Sequence, residues 1–572
     1  MSARCCCPFR LNELFAGGKL ERICLIICNC WSRLFSLLTG GKLRPRQRFI
    51  YLLAIWVCLC YGLLHIWISQ ERNAGIFQPN QQHIIAKQTR VEIKERQTSK
   101  DKNDMESFIQ GLAHNVPYEY WMHEKAKNSS SKNKPKPKCA IFPSVFDLRF
   151  NNNYWQTLRS SNGTFYLYGA YYDNRKIIQQ PVVRILGMID RLEPTVKSNC
   201  LFWYDIAKDP LVMPVVEYKY VWNKKWGNYK QGLLQPYLMT CNLPNPADLV
   251  DKGFKLDQIP VSVSLTEKGC EPPTNNLLIN NKVPAEKKRF AVCVKGLDFL
   301  QVDLSVRLVE WIELLGLLGA EKIFLYELEV HPNASKVLQH YQETGQVELR
   351  PISLPGDQPN LPGLRHLYLK SKIINKRQNE LIPYNDCLYR NLYSYDYIAL
   401  LDTDEVIMPR EVSTWKELME RVLAEVPSNK SPSSYNFRNV YFWDDAEHSH
   451  TWYHDIPRHM HMLQHVYRSY NYTKPRAFVK CFHDVQRVMT LHNHFPFACL
   501  GGGCTSHGVE PETAHLQHYR GDCQTKKNCD VDFKQFLVKD TTIWRYKEDL
   551  ISRVDAVLKK LGFLNEDDDG YR

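Results

Sequence analysis

The 572 residues exceed one compact core of ordinary size and fit one large catalytic domain with appendages. A formal charge of +13, from 74 Lys and Arg against 61 Asp and Glu, ordinarily raises nucleic acid as a partner. Much of the excess sits in the first 48 residues and in a tether after an apolar segment, where it reads as membrane topology and solubility, and the lumenal address that follows excludes nucleic acid.

Residues 1–48 read as a cytosolic tail. Its run from Ile23 to Leu38 is interrupted by Asn29 and Arg33, as in an interfacial amphipathic segment. Cys5, Cys6, Cys7, Cys24, Cys28 and Cys30 are juxtamembrane thiols suited to palmitoylation, with zinc binding as the competing reading. Residues 49–69, FIYLLAIWVCLCYGLLHIWIS, carry no formal charge and are long enough to cross a bilayer as a helix. Lys42, Arg44, Arg46 and Arg48 precede this segment, while Glu71 and Arg72 cancel after it. That bias keeps the N-terminus cytosolic and predicts a single-pass, type II signal-anchor. His65, near the far end of the span, is read as a neutral interfacial residue.

Residues 70–138 are rich in Gln, Lys, Asn and Ser, end in alternating Lys and Pro, and predict an extended stem. Trp121, Tyr118 and Tyr120 form a sticky island within it. From 139 to 287 the aromatic and β-branched runs FYLYGAYY (165–172) and VVEYKYVW (215–222) predict short strands. This β-rich accessory region is expected to use its aromatics mainly as a sandwich core, with Trp222 or Trp226 as candidates to stack on a sugar.

Beyond the span lie eleven cysteines, an odd number, so one is expected to stay free in an oxidising lumen. Cys293 and Cys387 are the candidates, because each falls inside a regular element. Sequons at Asn128, Asn162, Asn333 and Asn471 agree with a secretory route.

A different rhythm begins near 288. The run 290–295 reads as a buried strand, 302–318 as a helix, 322–328 as a strand, 334–344 as a helix, 346–352 as a strand, 364–393 as mostly helix and 397–401 as a strand. Strands alternating with helices imply parallel βαβ units, whose ligands gather at the carboxyl ends of strands. The last of these strands ends in Asp402-Thr403-Asp404-Glu405. If the extended chain continues through Thr403, Asp402 and Asp404 face one ion. Oxygen ligands suit Mn²⁺ or Mg²⁺ and substrate phosphates; an acidic turn after a core strand is the alternative.

A helix over 414–426 and a strand over 435–443 then lead to Asp444 and Asp445. Either a general base or a capped turn accounts for these residues. Cys499, Cys504, Cys523 and Cys529 are spaced for disulfides more than for zinc knuckles. In His518-Tyr519-Arg520 a neutral imidazole can complete an oxygen-rich metal shell, and the guanidinium can bind a diphosphate bidentately.

Four runs in order, FAVCVK (290–295), NDCL (385–388), LDTDE (401–405) and HYR (518–520), resemble glycosyltransferase family 92, the group containing invertebrate core-fucose β1,4-galactosyltransferases. The likeness covers roughly residues 288–525. It implies an α/β, GT-A-like catalytic domain over 288–545 with a C-terminal tail over 546–572, in a Golgi type II membrane enzyme. The implied reaction is inverting transfer of a hexose, most naturally galactose from UDP-galactose, to the N-glycans of glycoproteins. In that picture Asp404 and His518 hold Mn²⁺, Asp402 contacts the ribose or the ion through water, and Glu405 supports the cluster. Asp444, Asp445 and Glu510 are the candidate bases. Asp386 and Arg390 either contact the donor or form an i, i+4 ion pair. A metal-dependent phosphohydrolase and a catalytically silent glycan-binding protein are the competing functions.

Overall fold

The computed structural model describes residues 115–118, 120–121, 138–194, 197–205, 208–446, 452–521 and 533–565. All fall within one compact unit, Ser99–Arg572. The expected cytosolic tail, signal-anchor and most of the stem lie outside the described residues, as do Cys523 and Cys529. Among the described residues no helix is long and apolar enough to cross a membrane.

The accessory region forms nine strands: β1 (Phe150–Asn152), β2 (Trp155–Ser160), β3 (Gly163–Asp173), β4 (Val182–Ile189), β5 (Asn199–Trp203), β6 (Leu211–Tyr220), β7 (Gln235–Asn242), β8 (Ser262–Thr266) and β9 (Leu277–Asn280). Their order is β1-β2-β3-β4-β7-β6-β5-β8-β9, and β9 also pairs in parallel with β3. The sheet therefore closes on itself, where a sandwich was expected, and closure removes exposed edges. Phe165, Leu167, Ile185, Phe202, Met239 and Leu265 fill its core. Neither tryptophan offers an open sugar platform. Trp222 is buried, and Trp226 packs 4.5 Å from the ring of His492, on the hairpin of β19 (Val488–His492) and β20 (Phe495–Cys499).

In the second half, β10 (Lys288–Phe299), β11 (Lys322–Val330), β12 (Val347–Pro351) and β13 (Tyr395–Leu400) are parallel and lie in the order β12-β11-β10-β13. Beyond β13 the sheet continues with β18 (Lys480–Asp484), β15 (Ser434–Phe437) and β21 (Ser506–Gly508). The strand order reverses between β10 and β13. Loops leaving neighbouring strands in opposite directions open a crevice there, at the carboxyl ends. A second sheet, in the order β14 (Glu405–Pro409), β22 (Ala514–Arg520), β16 (Asn439–Trp443), β17 (Tyr467–Ser469), β23 (Leu537–Lys539), stands beside that crevice.

Several expectations are corrected by the fold. The strand expected over 435–443 is two strands, because β15 pairs with β18 while β16, one residue later, pairs with β22 in the other sheet. The helical stretch expected over 364–393 divides into Pro362–Ser371, Ile373–Asn379 and Leu381–Arg390, broken first at Lys372, whose ψ of 64° is not helical. The expected C-terminal tail carries a helix, Lys547–Lys560. Its Leu550, Val554 and Leu558 join the core beside Leu308 and Leu315 of the helix Ser305–Leu318.

Disulfides join Cys139 to Cys270, Cys200 to Cys241, Cys293 to Cys387 and Cys499 to Cys504. The two candidates for the single free thiol are thus bonded to each other. Lying inside regular elements is what brings these two together, since the helix Leu381–Arg390 packs on β10, and the free thiol among the described residues is the buried Cys481. The Cys293–Cys387 bridge spans 94 residues, a loop whose closure in the unfolded chain is entropically costly. Replacing both cysteines by serine is expected to lower the unfolding free energy by about 3–5 kcal/mol in denaturant melts; an unchanged midpoint would show that packing alone holds the helix to the strand.

Candidate functional site: a basic crevice with an acidic turn

The acidic run does not stay extended. The amide of Glu405 donates to the carbonyl of Asp402 at 3.0 Å, and the Glu405 carboxylate accepts the Asp402 amide at 2.9 Å. Residues 402–405 therefore form a tight turn that ends β13 and starts β14 in the other sheet. As a result the two aspartates part company. Asp402 points at two ammonium groups, Lys295 Nζ at 3.0 Å and Lys480 Nζ at 3.5 Å. Asp404, 49% exposed, points at His518, with Oδ2 3.4 Å from Nε2.

Each partner is delivered by sheet register. Lys295 lies on β10, next to β13. Lys480 begins β18, the antiparallel neighbour of β13, and is fully enclosed. Its ammonium also reaches Glu405 Oε2 at 3.0 Å and donates to Asn493 Oδ1 at 2.7 Å. His518 on β22 is directly opposite Glu405 on β14 and beside Tyr441 on β16. Its Nδ1 lies 3.5 Å from Glu405 Oε1 and 3.2 Å from the Asn439 amide nitrogen, so the ring is held edge-on with Nε2 toward Asp404.

Two lysines and two carboxylates thus pair their charges, Lys480 and Glu405 enclosed and Lys295 and Asp402 at the cavity floor, as charges withdrawn from water must. Burial opposes ionisation of Asp402, yet Lys295 and Lys480 hold its carboxyl far below the usual range. Glu405 moves the other way, raised chiefly by burial and also by Asp402, against the pull of Lys480. Burial alone would depress His518, but Glu405 and Asp404 outweigh it and raise the imidazole.

Above this layer opens a cavity of about 530 Å³, in the size range of small-molecule sites. It is lined by the end of β10 from Val294 to Phe299, by Asp402, Thr403 and Asp404, and by the run Tyr519, Arg520, Gly521. Lys295, Arg307, Lys376 and Arg520 bring four cationic side chains to its walls. Basic groups around the half-exposed Asp404 carboxylate, with the largely buried His518 imidazole behind it, suit a ligand with several anionic oxygens and a bridging divalent cation.

The other candidates fall in different places. Asp444 follows β16 behind Arg307 of the cavity wall, with Oδ2 3.1 Å from Arg307 and Oδ1 2.9 Å from His461 Nε2. Burial works against its charge, but His461 and Arg307 keep it strongly acidic. Asp445 is half exposed and held by Lys534 at 2.5 Å. Glu510 is exposed and precedes β22, whereas the cavity lies at the far end of that strand, roughly 20 Å along its seven residues. It is therefore separated from His518 and Arg520.

Asp386 and Arg390 take the ion-pair alternative. Arg390 Nε donates to both carboxylate oxygens at 2.9 Å, and Tyr326 and Tyr171 donate their hydroxyls to the same buried carboxylate. Tyr171 belongs to the accessory sheet, so this pair pins the two halves of the chain together and is closed to a donor. Sequence reasoning missed Lys295 as a functional group, along with Lys480, Arg307 and Lys376. A lysine inside an otherwise apolar strand, as in the fully buried run Lys480 to His483, was the available signal for one of them.

Residues 288–554 match the family model for glycosyltransferase family 92. Over 180 residues the chain is 26% identical to the beta-1,4-galactosyltransferase galt-1 of Caenorhabditis elegans, covering 31% of this chain and 38% of that relative. The chain thus spans about two fifths of that relative's length. Among solved structures, the apo structure of the WbbM bifunctional glycosyltransferase aligns over 29% of this chain and 26% of its own at 14% identity, with a TM-score of 0.17.

Two measurements check the charge layer and its surroundings. Lys480→Met leaves Asp402 and Glu405 short of a buried cation and is expected to cost roughly 3–5 kcal/mol in chemical unfolding; a neutral effect would mean the lysine is dispensable. Glu310, on the helix Ser305–Leu318, accepts the Met462 and Leu463 amides, but burial pushes its carboxyl up to about 7 from 4.5. With the folded value above the unfolded one, its stabilising contribution is complete below pH 4.5 and is lost as pH rises through 7. The stability of wild type relative to Glu310→Gln should therefore fall by on the order of 2–3 kcal/mol between pH 4.5 and 8, and a flat difference would contradict this.

Proposed function

Residues 288–554 are a glycosyltransferase family 92 domain, and from that premise we propose that the chain transfers a hexose, most naturally galactose in β linkage, from a UDP-sugar to glycoprotein N-glycans. The observation that carries the reading is Asp404 in the wall of a cationic crevice, backed by His518, in the switch-point position where α/β sheets bind nucleotides. The geometry fits a divalent ion: an accessible carboxylate oxygen and an imidazole nitrogen 3.4 Å apart, with space beside them for diphosphate and water oxygens. Asp404 and His518 would hold Mn²⁺ or Mg²⁺, which when bound offsets the charge that develops on departing UDP.

This chain's own groups do the rest. Arg520 and Arg307 face the diphosphate oxygens, and Lys295, anchored by Asp402, lends positive potential to the floor of the crevice. Asp402 acts through Lys295 and not as a direct ion ligand. Inversion requires a base on the acceptor side, and Asp445 takes that role because it is half exposed with one lysine partner, whereas both oxygens of Asp444 are engaged. The GT-A-like description belongs to the same proposal, supported by the β12-β11-β10-β13 order. So does a Golgi, type II setting. Four disulfides suit an oxidising lumen, and residues 49–69 have the composition of an anchor.

The test offers the solubilised full chain a panel of UDP-sugars with Mn²⁺ and a mixed N-glycan pool. A hexose-extended glycan is expected, with UDP-galactose the best donor and Asp404→Ala at least about 100-fold slower at unchanged thermal stability. Hydrolysis of the UDP-sugar at one rate with and without acceptor would point to a phosphohydrolase, and full turnover by Asp404→Ala would remove the assigned ion site.

A further inference from the structure

Behind the Arg307 wall of the crevice, a second constellation has a different chemistry. Asp444, His461 and His465 come together with one ligand atom from each within 4.8 Å of the others, the group among the described residues with that property. Asp444 is fixed by β16, and the two histidines are spaced i, i+4 at the ends of the short helix His461–Gln464, with rings 4.3 Å apart.

The hydrogen bonds around the group orient its nitrogen and oxygen atoms for a cation. His465 Nδ1 lies 2.7 Å from the carbonyl of His461, which can only accept, so Nδ1 carries the proton and Nε2 keeps a free lone pair. His461 Nε2 lies 2.9 Å from Asp444 Oδ1, where an ion can replace the shared proton. Arg307 binds the other oxygen, Oδ2, as second partners commonly do for ligating carboxylates. Its charge opposes a nearby cation, but the side chain is 49% exposed and its field is screened by water. Glu310, by accepting the Met462 and Leu463 amides, locks the start of the helix that presents both imidazoles.

We propose that Asp444, His461 and His465 form a second metal site, distinct from the Asp404–His518 pair, that binds a borderline divalent transition ion of the Zn²⁺ class. Two imidazoles and one carboxylate are a donor set that favours zinc over Mn²⁺ or Mg²⁺, and three protein ligands leave one position open to water or another oxygen. The ion ties the end of β16 to the helix turn and, through Asp444 and Arg307, to the wall of the crevice. Asp444 then serves as a ligand.

The experiment strips the purified full chain with chelator, dialyses it, titrates it with Zn²⁺ against a competing chromophoric chelator, and repeats this with excess Mn²⁺ present. Wild type and Asp404→Ala should each bind one zinc that Mn²⁺ does not displace. His465→Gln and the double variant His461→Ala/His465→Ala should lose affinity by well over about 100-fold, beyond the roughly 10–100-fold that an outer-shell change produces. His465→Gln preserves side-chain bulk, so it serves as the test if the double variant does not fold. Absence of zinc binding by wild type, ready displacement by Mn²⁺, or undiminished binding by His465→Gln would overturn the site.

Discussion

The buried pairing of Lys480 with Asp402 and Glu405 is the constraint on which the crevice depends. Without a cation at that depth, two carboxylates could not be enclosed where one sheet hands the chain to the next. With it, the turn 402–405 can be drawn tight by the Asp402–Glu405 backbone and side-chain bonds, Asp402 faces the cavity already paired with lysines, and Asp404 is left the most exposed of the three acids. Lys480 comes from β18, almost eighty positions along the chain, so the acidic turn becomes a defined object only once β18 has paired with β13. The ion-ready carboxylate is what remains after the other two have been neutralised internally.

A second buried charge set, Asp386 with Arg390, Tyr171 and Tyr326, does a comparable job at the junction with the accessory sheet. Arg390 is held well above its usual range, against burial, by Asp386 and the surrounding tyrosines. The closed accessory sheet thereby acts as a rigid buttress behind the helix Leu381–Arg390, which the Cys293–Cys387 bridge ties to β10. Since β10 supplies the floor of the crevice, the accessory region sets the site's geometry without lining it.

Much of this was legible in the sequence, for identifiable reasons. Periodicity found the β10–β13 alternation because parallel strands buried on both faces read as continuous apolar runs. It also placed the acidic run at a strand's carboxyl end. The pairing of Asp404 with His518 came from a resemblance, and geometry supplies a reason in the antiparallel register of Glu405 with His518. What sequence could not show was the conformation at Thr403. Residues i and i+2 share a face only in a strand, and the turn sends the two aspartates to different partners. The break between β15 and β16 was hidden for a related reason, since Arg438 separates two strands with no glycine or proline to mark the change of sheet. Asp386 with Arg390 fitted two readings on spacing, and only burial distinguished them.

The most direct measurement is a crystal structure of the chain soaked with UDP and Mn²⁺, with anomalous data collected at the manganese edge. An anomalous peak is expected between Asp404 and His518, with the diphosphate facing Arg520 and the nucleoside in the crevice between β10 and β13. A manganese peak remote from that pair, or UDP bound outside the crevice, would contradict it.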